Sequence, residues 1–307
     1  MNNHIVIVGA GAVGQGAAQY CLEKDLGDVA LIDIDEGLAK GKALDLNHCV
    51  AHQNHSKRAS GGDDYAVCKG AKVVVITAGL ARQPGMSRDD LLQKNISIVF
   101  GVVEQVLKNE PNAIIVMVTN PLDILTYMVR KKFNLPASRV FGMSGSLDTA
   151  RMRFAIAEAL NVPARTVQAL VIGEHGDTMV PLMRLATVSG IPAAPLLNEE
   201  QIDDILTKTR TGGAIVTGLM KRSASMSPGM GISTIVEAIM KDTKEILPCS
   251  VFVDGQFGAK DLCMCVPARI GANGVEEIFT FALEADEQAA VDKSVVKMRG
   301  ALDALNL

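Results

Sequence analysis

The sequence predicts an α/β fold: a doubly wound parallel sheet in the first half, followed by an α+β half built on antiparallel strands. Two observations carry this expectation. In the first half, short β-branched runs alternate with stretches of helical period, and such alternation requires crossover connections between parallel strands. After about residue 145, strand-like runs come in pairs separated by short glycine-containing turns, which is the pattern of antiparallel hairpins.

Each element follows from its own residues. "HIVIV" (4–8), "VALID" (29–33), "KVVVIT" (72–77) and "AIIVMV" (113–118) are apolar without alternation, so they read as strands buried on both faces. Helical periods lie between them near 12–24, 36–50 and 89–109. In the second half, "TVQALVIG" (166–173) and "MVPLMRLATV" (179–188) form one expected antiparallel pair, and "SVFVDGQFG" (250–258) with "LCMCVPARIG" (262–271) another. Further helices are expected near 147–161, 199–243 and 284–306, the second of them broken at Gly212-Gly213 or at Pro228. No internal repeat or low-complexity linker separates the halves, so they should pack closely around a cleft.

Composition excludes several functional classes. Thirty basic against 34 acidic residues give a formal net charge of -4, which offers no general attraction for nucleic acid. Apolar runs such as "AIIVMV" are far too short to cross a bilayer. The chain reaches "HIVIV" without a basic n-region or a cleavage site. Six cysteines are scattered, except that Cys263 and Cys265 would share one face of a strand. Free thiols in a reducing compartment fit that scatter, and a cytoplasmic protein is expected. Tryptophan is absent and aromatics are 4%, so Val, Ile, Leu, Ala and Met must build the core.

Chemistry begins at "GAGAVG", which follows the first strand and opens a helix. Gly9 permits a tight turn, and Gly11 and Gly14 let backbone N–H groups and the helix N-terminus approach a pyrophosphate. Asp33 ends the second strand 19 residues beyond Gly14, where a carboxylate accepts hydrogen bonds from ribose hydroxyls and repels a 2′-phosphate. NAD is therefore favoured over NADP. The alternative is a strand-end aspartate that merely caps a turn.

The acid/base inventory lies further along. "SLDTAR" (146–151) starts a helix with Ser146 as an expected N-cap, and Asp148 and Arg151, three apart, share a helix face. Alone they would be an ordinary surface ion pair. "GEHGD" (173–177) supplies His175 in a glycine-flanked turn directly after a strand. In "GLARQPGMSRDD" (79–90), Arg82 and Arg88 flank a Pro-Gly bend, as if awaiting an anion. A proton-exchanging imidazole, a carboxylate to orient it and three arginines are the groups that an anion-binding acid/base site requires.

Together these motifs resemble the lactate/malate dehydrogenase superfamily, most closely its lactate-dehydrogenase-like malate-specific type. "GAGAVG", "LIDID", "TAGLARQPGMSRDDLLQKN", "VTNPLD", "SGSLDTAR" and "GEHGD" occur in the family's order, and the likeness runs over nearly the whole chain. The resemblance implies a Rossmann-type NAD-binding domain at 1–144 and a catalytic domain at 145–307. It implies that His175 exchanges a proton with the substrate oxygen while Asp148 holds its ring. Arg151 would grip the substrate C1 carboxylate through a two-pronged salt bridge, and Arg88 would polarise the reacting carbonyl on a loop that closes over the substrate. Asn120 would bond near substrate and nicotinamide, and Asn95 would join Gly9, Gly11, Gly14 and Asp33 at the cofactor. The position of Arg82 resembles the one that reads the far end of the substrate. An arginine there implies a second carboxylate, hence malate and oxaloacetate; users of pyruvate have an uncharged residue, often Gln.

Three alternatives accompany that expectation: a lactate or other 2-hydroxy-acid dehydrogenase, a non-catalytic NAD-binding protein, and a metal site at "HCVAHQNH". His48, Cys49, His52 and His55 fall within eight residues, and His48 and His52 could share a helix face. A polar helix end explains them equally, and no metal is expected. The segment "RSASMSPGMG" (222–231) lies where the family walls the substrate, but no individual role is carried onto it. A symmetric homo-oligomer is expected, a tetramer before a dimer.

Overall fold

Six strands lie parallel at the centre of the computed structural model, which describes residues 4–80 and 88–305, with the side chains of Arg88 and Asp89 outside that description. They are β1 (His4–Val8), β2 (Val29–Ile32), β3 (Ala59–Gly62), β4 (Ala71–Ile76), β5 (Ile114–Met117) and β6 (Val140–Gly142). Their order is β3-β2-β1-β4-β5-β6. The chain therefore reverses its winding between β1 and β4, and the carboxyl ends of those strands open a crevice suited to ligands. The connecting helices are α1 (Ala12–Glu23), α2 (Glu36–Cys49), α3 (Arg88–Asn109) and α4 (Leu122–Lys132).

Beyond β6 the chain forms α5 (Gly145–Leu160), and then β7 (Val167–Gln168), β8 (Val171–Ile172), β9 (Val180–Pro181), β10 (Thr187–Val188) and β11 (Ile191–Pro192). Helices α6 (Glu199–Met220) and α7 (Met226–Lys241) follow, then β12 (Glu245–Asp254), β13 (Lys260–Gly271), β14 (Gly274–Ile278) and α8 (Ala285–Asp303). Strands β12, β13 and β14 form an antiparallel meander. β12 also pairs antiparallel with β6, with Ser250 opposite Gly142, so one nine-stranded sheet runs through both halves. The expected fold class holds: a Rossmann-type parallel sheet followed by an α+β half.

Details differ for physical reasons. The runs at 166–173 and 179–188 do pair antiparallel, but each is split: β8 pairs with β9, and β7 with β10, around a 3₁₀ turn at Met183–Leu185. The long helix breaks after Met220, where Lys221 adopts a left-handed backbone (φ 54°), and Gly212-Gly213 stays helical. Pro228 sits in the first turn of α7, where its missing N–H has no helical partner to lose. A main core of residues such as Ile5, Val74, Ile115, Phe141, Val251 and Met264 spans both halves. A smaller one (Met152, Ile156, Val167, Val171) lies under α5. All six cysteines are free.

Candidate active site

The glycine-rich turn is shaped by what its glycines exclude. Gly9 has φ +105°, and a Cβ there would meet the Thr77 hydroxyl at 2.6 Å and the Ala78 nitrogen at 2.7 Å. A Cβ on Gly14 would stand 1.9 Å from the Gly9 carbonyl oxygen, so only glycine lets α1 approach β1 so closely. Gly11 is the opposite case: it is exposed, and nothing lies within 4 Å of its Cβ position. As N-cap of α1 it leaves the first amides without a side-chain partner, and no acidic residue occupies the first turn. That open, electropositive helix end is what a pyrophosphate requires. The residues present fit an NAD-type dinucleotide.

The turn is held from both sides. Asp33 accepts the Ala10 N–H at 2.6 Å and the Asp35 N–H at 3.1 Å, while Lys42 on α2 donates to the Ala10 carbonyl at 2.6 Å. Asp33 thus lies at the end of β2 beside the glycine turn, where the ribose of a dinucleotide on that turn would fall. Lys42 gave no signal in the sequence; it looked like any helix-surface lysine. Ile34, next to Asp33, is fully exposed.

Asn95 packs into the wall of the crevice. It is buried on α3, and its amide donates to the carbonyls of Leu80 (3.2 Å) and Asn120 (2.8 Å) and accepts the Leu80 N–H (2.8 Å). Both amide protons are engaged, so it ties the chain after β4 to the chain after β5 and shapes the crevice wall. Asn120 itself is exposed at the end of β5 and precedes a cis peptide to Pro121. Arg82 lies outside the described residues, and Arg88 opens α3 with its side chain outside them.

In the second half, Asp148 and Arg151 do share one face of α5. Asp148 is buried, and it accepts Arg151 Nη1 at 2.9 Å on Oδ1 and His175 Nδ1 at 2.7 Å on Oδ2. Ser146 is not the N-cap of α5; that place belongs to Ser144, and the Ser146 hydroxyl bonds the Pro248 carbonyl instead. His175 is partly buried in the turn after β8. Burial works to lower its pKa, but the Asp148 carboxylate outweighs burial, and the imidazole is held above its ordinary value. With Nδ1 engaged by Asp148, Nε2 is the ring nitrogen left to meet a ligand.

One link joins the two halves at this point. The backbone N–H of His175 donates to Asp123 Oδ2 at 2.7 Å, and Asp123 follows Asn120-Pro121 in the first turn of α4. The chain leaving β5 and the histidine turn are therefore neighbours at one mouth of the crevice. Asp123 lay within the quoted "VTNPLD" but carried no assigned role.

The cysteine-histidine segment assembles differently. Among the described residues no group of three or more His, Cys, Asp or Glu side chains comes together to hold a metal ion. α2 ends at Cys49, His52 ends a 3₁₀ turn, and the His55 ring pairs with Gln53.

Comparison with known proteins bears on this arrangement. Residues 3–142 match the model of the lactate/malate dehydrogenase NAD binding domain, and residues 145–305 match that of the alpha/beta C-terminal domain. The chain belongs to the lactate/malate dehydrogenase family. A relative from Desulforudis audaxviator, named malate dehydrogenase, is 44% identical over 99% of this chain and 98% of its own. The malate dehydrogenase structure from Salinibacter ruber superposes with a TM-score of 0.94 at 42% identity, covering 99% of this chain and 97% of that one. A lactate dehydrogenase of Cryptosporidium parvum, solved with lactic acid and the dinucleotide, reaches the same TM-score of 0.94 at 37% identity over 100% and 98%. The same fold thus occurs in proteins named for either substrate. No helix among the described residues is long and apolar enough to cross a membrane.

Proposed function

We propose that this chain catalyses the reversible NAD-dependent oxidation of (S)-malate to oxaloacetate. The observation that carries the reading is the Arg151–Asp148–His175 chain of contacts at the crevice mouth, with both Asp148 oxygens engaged. NAD, when bound, supplies the hydride acceptor. Arg151 pairs with the substrate C1 carboxylate and fixes its orientation. The C2 hydroxyl gives its proton to His175 Nε2 as the C2 hydrogen leaves with its electron pair, and Asp148 stabilises the imidazolium that forms. Asn120 hydrogen-bonds near the substrate and the nicotinamide. Arg88 polarises the reacting carbonyl, and Arg82 pairs with the distal carboxylate. Gly9, Gly11, Gly14 and Asp33 hold the dinucleotide, joined at the cofactor by Asn95 and Asn120.

Arg82 decides malate over lactate in this reading. With pyruvate its guanidinium would face a methyl group in a water-poor pocket, a penalty of roughly 2–4 kcal/mol, or about 30- to 1,000-fold. The test is NADH oxidation with oxaloacetate and pyruvate side by side, in the parent protein and in Arg82→Gln. The parent should prefer oxaloacetate, and Arg82→Gln should collapse that preference while NADH binding stays nearly constant. A parent preference for pyruvate, or an unchanged ratio in the variant, would replace this reading with lactate or another 2-hydroxy acid.

The same reading places the protein in the cytoplasm as a homo-oligomer, a tetramer before a dimer. Ile215, Leu219 and Met220 expose an apolar end of α6, which supports association.

A further inference from the structure

Two buried carboxylates, not one, converge on His175. Asp148 reaches the ring from α5, and Asp123 reaches the main chain from α4. Asp123 is 4% exposed, and each of its oxygens has a donor: Oδ2 accepts the His175 N–H at 2.7 Å, and Oδ1 accepts the Ser250 hydroxyl from β12 at 2.5 Å. Both partners donate, so both hydrogen bonds favour the ionised carboxylate against the opposing effect of burial. Such a charge in a low-dielectric site acts strongly on its neighbours. Among the described residues, Arg151 on α5 opposes protonation of the imidazole, and Glu174 and Asp177 are charged groups of the same turn, Glu174 being paired by Lys297 of α8 at 2.8 Å. Cys263 on β13 is held as the neutral thiol by burial.

We propose that Asp123 is a positioning residue for proton exchange: its carboxylate fixes the His175 main chain at the crevice mouth and places a second negative charge beside the imidazole. The proposal rests on His175 being the acid/base group. Its geometric logic is a division of labour. Asp148 sets the tautomer and ring orientation, whereas Asp123 sets where the turn itself stands, tying it to Asn120-Pro121 and, through Ser250, to the sheet. Glu174 completes the clamp, because its N–H donates to the buried Ser294 of α8 at 2.8 Å. Consecutive amides of the catalytic turn are thereby fixed by side chains from separate helices.

Substitution separates the two roles. In Asp123→Asn the amide oxygen still accepts the His175 N–H and the amide nitrogen donates to the Ser250 oxygen, so the tether survives without the charge. Asp123→Ala removes both. The direct readout is the ring titration of His175 by NMR on ¹⁵N-histidine-labelled protein, assigned by the signal lost in His175→Asn, beside kcat and KM for oxaloacetate and the Kd for NADH. We expect the His175 midpoint to move to lower pH in Asp123→Asn with most of the turnover kept, and turnover to fall on the order of 10- to 100-fold in Asp123→Ala with NADH binding intact. A midpoint in Asp123→Asn that coincides with the parent's overturns the proposal, as does full turnover in Asp123→Ala. Should Asp123→Ala not fold, the Asp123→Asn titration decides alone. Near-normal turnover in His175→Asn would overturn the acid/base reading itself, a result distinct from either.

Discussion

Arg151 lies against the bare backbone of Gly213: a Cβ there would stand 3.2 Å from its Nη2, and one on Gly212 would stand 3.1 Å from its Cδ. The guanidinium is already tethered to Asp148, so it cannot simply swing away. Gly213→Ala should therefore raise KM for oxaloacetate about 3- to 10-fold, the cost of a weakened charge-assisted hydrogen bond, with kcat less affected. Because a mid-helix glycine costs about 1 kcal/mol against alanine, the variant should melt no lower than the parent. Steady-state kinetics with thermal melts checks both, and an unchanged KM would show that the notch does not position Arg151.

On the proposed mechanism, proton exchange at His175 sets the pH dependence. Its raised pKa means that the imidazolium, needed to reduce oxaloacetate, is present below that value and lost above it; malate oxidation needs the neutral ring and behaves in reverse. kcat/KM for reduction should fall with rising pH, and that for oxidation should climb through the same midpoint. In Asp148→Asn both midpoints should move to lower pH, because the main stabiliser of the charged ring is gone. His175→Asn should fold, bind NADH and turn over about 100- to 10,000-fold more slowly. Midpoints that stay put in Asp148→Asn would dissociate the aspartate from the histidine.

Cofactor choice should follow Asp33 and the exposed Ile34. Replacing them with Ser and Arg removes a repulsive carboxylate and adds a phosphate partner, so the NADPH-to-NADH ratio of kcat/KM should rise. Because Asp33 also holds the Ala10 amide, the same change should weaken both cofactors somewhat. A ratio that does not move would displace the ribose site from the end of β2.

Asp123 should leave a signature in stability. Burial raises its pKa from 3.8 to about 6, with the Ser250 and His175 hydrogen bonds opposing. A raised carboxylate pKa stabilises the folded protein fully below the ordinary value, and that contribution is lost as pH climbs through about 6. The displacement corresponds to about 3 kcal/mol at 1.36 kcal/mol per pH unit. Urea unfolding at pH 4 and pH 7 should show the parent losing most of that, about 2 kcal/mol, relative to Asp123→Asn. A pH-independent difference between the two would mean that the carboxylate carries no such burden.

Much of this architecture was legible because its signals are local. The strands at 4–8, 29–32, 71–76 and 114–117 are continuous apolar runs, and the glycine turn, Asp148, Arg151 and His175 announce themselves by type and spacing. What stayed hidden depended on distant partners. α4 was not among the expected helices: its eight consecutive buried residues, Leu122 to Val129, run on from the apolar strand β5 with only the short Asn120-Pro121 turn between. β3 reads "ASGG" and β6 only "VFG"; each is a strand because its neighbours pair with it. Asp123 and Ser250 are 127 positions apart, and no spacing rule connects them. Asn95 likewise joins Leu80 to Asn120, 25 positions beyond it, a link that no local pattern announces.

The pairing of β6 with β12 carries a mechanical consequence. A hydrogen-bonded sheet resists shear, so the two halves behave as one plate and not as jaws on a hinge. Large-scale opening would have to tear strand pairing at Gly142 and Ser250, beside the Asp123 tether. Motions that admit and enclose a substrate must then be borne by segments at the rim of the plate, while the histidine turn and the dinucleotide turn keep a fixed separation through each cycle. Tolerance to sequence change should follow the same line, with drift permitted at the rim and resisted wherever the plate is continuous.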